Sequence, residues 1–159
     1  MTLKPEIRHA TAVDAPVIAR HRRRMFEDMG HEYGKHTEID TLYQAWVAPR
    51  LEDGRYVGWL MQIGDQVVGG AGVEVRDRAP HPYDLTTRYA YVVNVYVEPE
   101  HRRQGFARQI VNTLLEWCKQ QDFGIISLHA SDEGRPLYQS LGFAASNEMQ
   151  FVTWQDNGH

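Results

Sequence analysis

The sequence predicts an α+β domain, a mixed and mostly antiparallel central sheet flanked by helices. Two observations carry that prediction. Three strand-like runs follow one another in the middle of the chain: "RYVGWLMQI", "QVVGGAGVEVRD" and "RYAYVVNVYV". Two helical segments come before this meander, and strand and helix alternate after it. No internal repeat, low-complexity tract or long linker divides the 159 residues, so residues 1–159 are expected to form one domain.

The elements can be justified in order. "EIRHA" at 6–10 is a short strand, and Thr11 with Asp14 three residues on resembles a helix N-terminus. In the segment that follows, Val17, Ile18, Met25, Phe26 and Met29 fall at helical spacing, and Gly30 is a stop. "TEIDTLYQAWVAPRLED" gives a second helix. The Gly64-Asp65 turn joins the first two strands as a hairpin, and the Pro-rich "APHPYD" separates the second from the third. Ile110, Val111, Leu114, Leu115 and Cys118 then form one apolar helical stripe. "GIISLHA" reads as a buried strand, "EGRPLYQSLG" as a short helix ended by Gly142, and "EMQFVTWQ" as a last strand. The full order is β-α-α-β-β-β-α-β-α-β.

Composition narrows the function classes. A net charge of −4 and a pI near 6.0 give no bulk attraction to nucleic acid or anionic membrane. The single cysteine, Cys118, excludes an internal disulfide and points to a reducing, cytoplasmic compartment. "MTLKPEIRHA" lacks the apolar core of a signal peptide, and no run reaches membrane-spanning length. His9, His21, His31, His36, His81, His101, His129 and His159 are scattered without metal-ligand spacing, so no metal is expected. Cys118 sits on an apolar stripe, where a structural thiol is expected rather than a nucleophile. The "RHRRR" run at 20–24 reads as a solvated helix face, because the acids of "FEDM" follow it.

Chemistry concentrates at the junction "EPEHRRQGFARQ", between the long strand and the stripe-bearing helix. A glycine turn at a helix N-terminus gathers unpaired N–H groups and the positive end of the helix dipole, which suits a phosphate. Gly105 allows close approach, Ala107 keeps the first turn clear, and Arg102, Arg103 and Arg108 add positive charge. On physics alone a solvated basic turn fits equally well. The Walker A and Gly-x-Gly-x-x-Gly patterns are both absent.

Residues Arg102–Ala107 match the Arg/Gln-x-x-Gly-x-Gly/Ala signature of the GNAT acyltransferases, and "VYVEPEHR" before it is similar to that family. "LYQSLGF" at 137–143 resembles the family's Leu-Tyr-x-x-x-Gly-Phe segment. The order of elements from about residue 56 to 143 resembles the family as well, while the first 50 or so residues match loosely.

The resemblance implies acetyl-CoA as co-substrate, its pyrophosphate held by the amides of Arg103, Gln104, Gly105, Phe106, Ala107 and Arg108, with Arg102 beside them. It implies that Val95 and Val97 pair with the pantetheine arm as if with another strand, and that the Val95 N–H stabilises the oxyanion. Tyr138 aligns with the tyrosine that protonates the leaving thiolate. A phenol of pKa about 10 can serve a thiol of about 8.5. Two departures stand out. Ser131 occupies a cofactor-contacting position often filled by Asn, and Tyr91 a position that holds a catalytic Glu in some members. The general base therefore stays open. Glu74 can line the cleft from the neighbouring strand, and Glu27, Asp28, His31 and Glu32 sit where the acceptor is usually covered. Phe26 and Met29, with Met25, are expected as an apolar acceptor wall, with Glu27 or Asp28 attracting a cationic amine.

The implied function is transfer of an acetyl group to a primary amine of a small molecule or peptide, by direct attack in a ternary complex. A different acyl donor, or a non-catalytic CoA-binding regulatory module, remains open. A homodimer through strand edges or "EMQFVTWQ" is a further expectation.

Overall fold

A computed structural model describes residues 3–31 and 38–154. Glu32, His36 and His159 lie outside these residues. Five strands pair in chain order: β1 (Glu6–His9), β2 (Tyr56–Ile63), β3 (Gln66–Asp77), β4 (Arg88–Val97) and β5 (Ile126–Ser127). The first four are antiparallel, and β5 runs parallel to β4. Four helices, α1 (Ala15–Asp28), α2 (Ile39–Asp53), α3 (Phe106–Gln120) and α4 (Arg135–Ser140), complete the α+β architecture.

Alternation along β2 divides the core into two layers. Trp59 and Met61 face α3, where Ile110, Leu114 and Cys118 meet them and Val73 in one buried cluster. Tyr56 and Leu60 face the opposite way and pack with Ala15 and Ile18 of α1 and Val47 of α2. The predicted stripe of α3 is thus a core stripe, and Ile110 and Leu114 at 0% exposure each contribute about 1.5–3 kcal/mol. At the N-terminus, the Asp14 carboxylate accepts from the Thr11 N–H at 2.7 Å and from both terminal nitrogens of Arg8 at 2.8 and 2.9 Å. That pairing ties the start of the first helical segment to β1 and holds the Asp14 carboxyl below its usual range.

Two features govern the site. β4 pairs with β5 only at Ala90–Ile126 and Tyr91–Ser127, so its edge from Val92 to Val97 diverges from the next strand. On its other side β4 bulges: between Val93, opposite Gly72, and Tyr96, opposite Gly70, β4 has Asn94 and Val95 where β3 has only Ala71.

The strand expected at "EMQFVTWQ" does not form over 148–154. β5, expected as the seven-residue "GIISLHA", has only two paired residues and offers a short edge. Met149, Phe151 and Trp154 are exposed rather than set against a sheet face. Gln150 Nε2 lies 2.9 Å from Nε2 of His129, two residues past the end of β5.

Candidate functional site

The divergence of β4 and β5 opens a cleft of about 1070 Å³, floored by Val92–Val97 of β4. One wall comes from α1, another from Leu128–Tyr138, and the turn into α3 closes one end.

That turn is built for anions. Arg103 (φ +63°) and Gly105 (φ +80°) both adopt the left-handed conformation, and Gly105 caps α3. Among the described residues, no backbone N–H from Arg103 to Arg108 donates to a backbone or side-chain acceptor; the first bond of α3 runs from Gln109 N–H to Gly105 C=O at 3.1 Å. A Cβ at Gly105 would meet nothing within 4 Å, so the space over the turn is open. Arg102 is otherwise engaged. Its Nε donates to the Val97 carbonyl and its Nη2 to Asp28, both at 2.8 Å, which pins the turn to β4 and α1. Arg108 reaches Ser140 Oγ at 2.8 Å.

Arg102, Arg103, Gly105, Phe106, Ala107 and Arg108 line the cleft, as do Val95 and Val97; the Gln104 side chain does not. Ser131 lines it too, but its Oγ accepts from the Gly134 N–H at 3.0 Å and shapes the approach to α4. Tyr138 lines the same wall, edge-on to Phe143 with ring centroids 5.8 Å apart. Burial raises its phenol pKa, so the proton stays on at neutral pH.

Phe26 and Met29 of the expected acceptor wall, with Met25 and His31, also line the cleft. Glu27 does not line it and pairs with Arg23 at 3.4 Å, one turn back on α1. Asp28 lines it but is bound to Arg102. Glu74 faces the cleft opposite Tyr91 in the β3–β4 register, and its Oε1 accepts from Arg76 Nε and Nη2 at 3.0 and 2.8 Å. The Arg76 guanidinium lies over the Tyr91 ring, 3.8 Å from its centroid.

Two residues of the cleft were missed by sequence reasoning. Asn94, at the bulge, holds φ +58° and is 3% exposed. Its Nδ2 donates to Tyr43 Oη at 2.7 Å and Tyr56 Oη at 2.9 Å, and its Oδ1 accepts from Arg22 Nη1 at 3.1 Å. These three bonds fix a conformation that most non-glycine residues avoid. The available signal was a lone Asn inside the apolar run "YVVNVYV". Arg22 comes from the "RHRRR" run and lies between Phe26 and Tyr43, 4.9 and 4.8 Å from the ring centroids.

A cleft with an open strand edge, a bulge beside it and a turn of unpaired amides can seat an extended anionic ligand, as the resemblance implies for coenzyme A. The Acetyltransferase (GNAT) family model matches residues 18–143. The chain belongs to the GNAT acetyltransferase family. The GCN5-related N-acetyltransferase from Ralstonia eutropha JMP134 superposes with a TM-score of 0.88 at 31% identity, covering 94% of this chain and 98% of that one. A predicted acetyltransferase from Clostridium acetobutylicum, solved with acetyl-CoA, gives 0.87 at 27% identity, covering 94% and 96%. Human N-acetyltransferase 8 is 28% identical over 99 residues, which is 60% of this GNAT chain but only 42% of the human protein.

Proposed function

We propose that the protein transfers the acetyl group of acetyl-CoA to a primary amine of a small molecule or peptide, by direct attack in a ternary complex. The observation that carries this reading is the convergence of the open β4 edge, the unpaired amides of the α3 turn and the Tyr138 phenol on one cleft. The solved relative from C. acetobutylicum, with acetyl-CoA, supports the same donor.

In this reading the turn amides from Arg103 to Arg108 hold the pyrophosphate, and the pantetheine arm lies along Val95–Val97. The bulge removes Val95 from register with β3 and leaves its amide to meet the thioester carbonyl. The neutral amine nitrogen attacks that carbon, the C–N bond forms and the C–S bond breaks. Tyr138 gives its proton to the departing thiolate and is reprotonated from water. In this reading Glu74, paired with Arg76 and lining the cleft, accepts the amine proton directly or through water. The lone buried Cys118 supports a cytoplasmic setting.

Thiol release with acetyl-CoA over a broad panel of primary amines tests the proposal. Release that depends on a particular amine, with the acetylated amine found by mass spectrometry, is expected. Tight acetyl-CoA binding without turnover on any amine would instead favour a CoA-sensing module.

A further inference from the structure

Charge at the acceptor wall of the cleft differs from what the acids of "FEDM" imply. Several arginines around this cleft and along α1 are paired with acids. Arg20 pairs with Glu98, Arg23 with Asp40 and Glu27, Arg76 with Glu74, and Arg102 with Asp28. Both acids that were expected to draw in a cationic amine, Glu27 and Asp28, are consumed in those pairs. Arg22 is left out of these pairs: it lines the cleft, is half-buried, and has no carboxylate within ion-pair distance among the described residues, a state it shares with Arg103 and Arg108 of the α3 turn but, unlike them, beside the β4 bulge.

Arg22 is nevertheless held in place. A neutral amide, Asn94 Oδ1, anchors one terminal nitrogen, and the rings of Phe26 and Tyr43 cover the guanidinium. The remaining N–H groups form a fork that no carboxylate occupies among the described residues. Such a fork binds a carboxylate in two parallel hydrogen bonds. Its anchor, Asn94, is the residue directly before Val95, beside which the acetyl group sits in the proposed reaction. One side chain and one hydrogen bond thus link the guanidinium to the transfer point.

We infer that the acceptor is an amine carrying a carboxylate one or two carbons away, an amino acid rather than a simple amine or an internal lysine. Arg22 reads the carboxylate, and the amine is presented toward the acetyl carbon with Glu74 across the cleft. This rests on the proposed acetyl transfer and adds the acceptor class to it. A peptide N-terminus, whose carboxylate is remote, is a poor substrate on this account.

The test uses the full chain with acetyl-CoA and the twenty amino acids, each set against its α-carboxamide and its decarboxylated amine. At least one acid is expected to exceed its amide in kcat/KM by roughly tenfold to a hundredfold, the range of a hydrogen-bonded charge pair. Arg22→Ala should raise KM for that acid by a similar factor beyond any loss it causes with the amide, so that the acid-to-amide ratio collapses, with Arg22→Lys recovering part of the preference. A purely structural role for Arg22 would weaken acid and amide alike and leave their ratio intact. Amides or decarboxylated amines used as well as the acids by the unmodified protein would overturn the inference and leave acetyl transfer standing. Turnover confined to amines without a nearby carboxylate would do the same. Absence of acetyl-CoA binding in calorimetry would overturn both.

Discussion

Gly72 and Tyr56 occupy one space from two adjacent strands: a Cβ at Gly72 would lie 2.1 Å from Tyr56 Oη and 2.3 Å from its Cζ. That hydroxyl accepts from Asn94, so the missing side chain on β3 is what lets Tyr56 reach under the β4 bulge. Gly72→Ala should therefore destabilise the fold by about 1–3 kcal/mol and lower activity, because the displaced ring takes a support from Asn94. Tyr56→Phe in the same background should not rescue it, since the ring carbon clashes as well. Denaturant unfolding of Gly72→Ala, Tyr56→Phe and the double variant checks this, and recovery in the double variant would contradict it.

Gly105 separates backbone strain from loss of the anion seat. Its φ of +80° makes Gly105→Ala cost about 1 kcal/mol of stability, while the open space above it leaves room for a methyl group. Gly105→Glu places a carboxylate where the turn amides face an anion. Acetyl-CoA affinity by calorimetry should fall by at least about a hundredfold for Glu and far less for Ala. Equal losses would mean that the turn does not hold the phosphates.

Much of the fold was legible because its signals are local. The apolar stripe of α3, the Gly64-Asp65 hairpin and the two N-terminal helices follow from periodicity and turn residues. The last strand failed for the opposite reason: apolar alternation in "EMQFVTWQ" meets the strand pattern, but a strand also needs an edge, and β5 has only two paired residues. The site divides in the same way. The α3 turn could be read from its own residues. The roles of Arg22 and Asn94 depend on Tyr43 and Tyr56, far away in sequence, and no spacing rule joins them. Likewise, nothing local shows that Glu27 turns to Arg23 and Asp28 to Arg102.

Tyr138→Phe tests the acid. Removing the phenolic proton should lower kcat by roughly a hundredfold or more while acetyl-CoA affinity stays near that of the unmodified protein. Burial lifts this phenol above its ordinary value, so the acid form persists through neutral pH, and any alkaline limb it causes should lie above pH of about 10. Stopped-flow acetyl transfer across pH, on both forms, measures the limb. A full-rate Phe variant would remove Tyr138 from the chemistry.

His21 makes stability depend on acid. It is 1% exposed on α1, its ring 5.2 Å from that of Tyr96, and its Nε2 has no hydrogen-bond partner among the described residues. Burial lowers its pKa to about 4, with Glu98 pulling upward and Arg20 reinforcing the drop. The unfolded chain takes up a proton below about pH 6.5, whereas the folded one stays neutral until about pH 4. Protonation therefore favours the unfolded state throughout that window, and stability falls with pH by about 3 kcal/mol in total, levelling off below the folded pKa. Above pH 6.5 the residue contributes no slope. Urea unfolding between pH 4 and 8 should show this decline, and His21→Leu should remove most of it. An unchanged slope in the Leu variant would remove His21 as its source, and the Arg8–Asp14 pair could not replace it, because a carboxylate held below its ordinary value of 3.8 loses its contribution only below that pH.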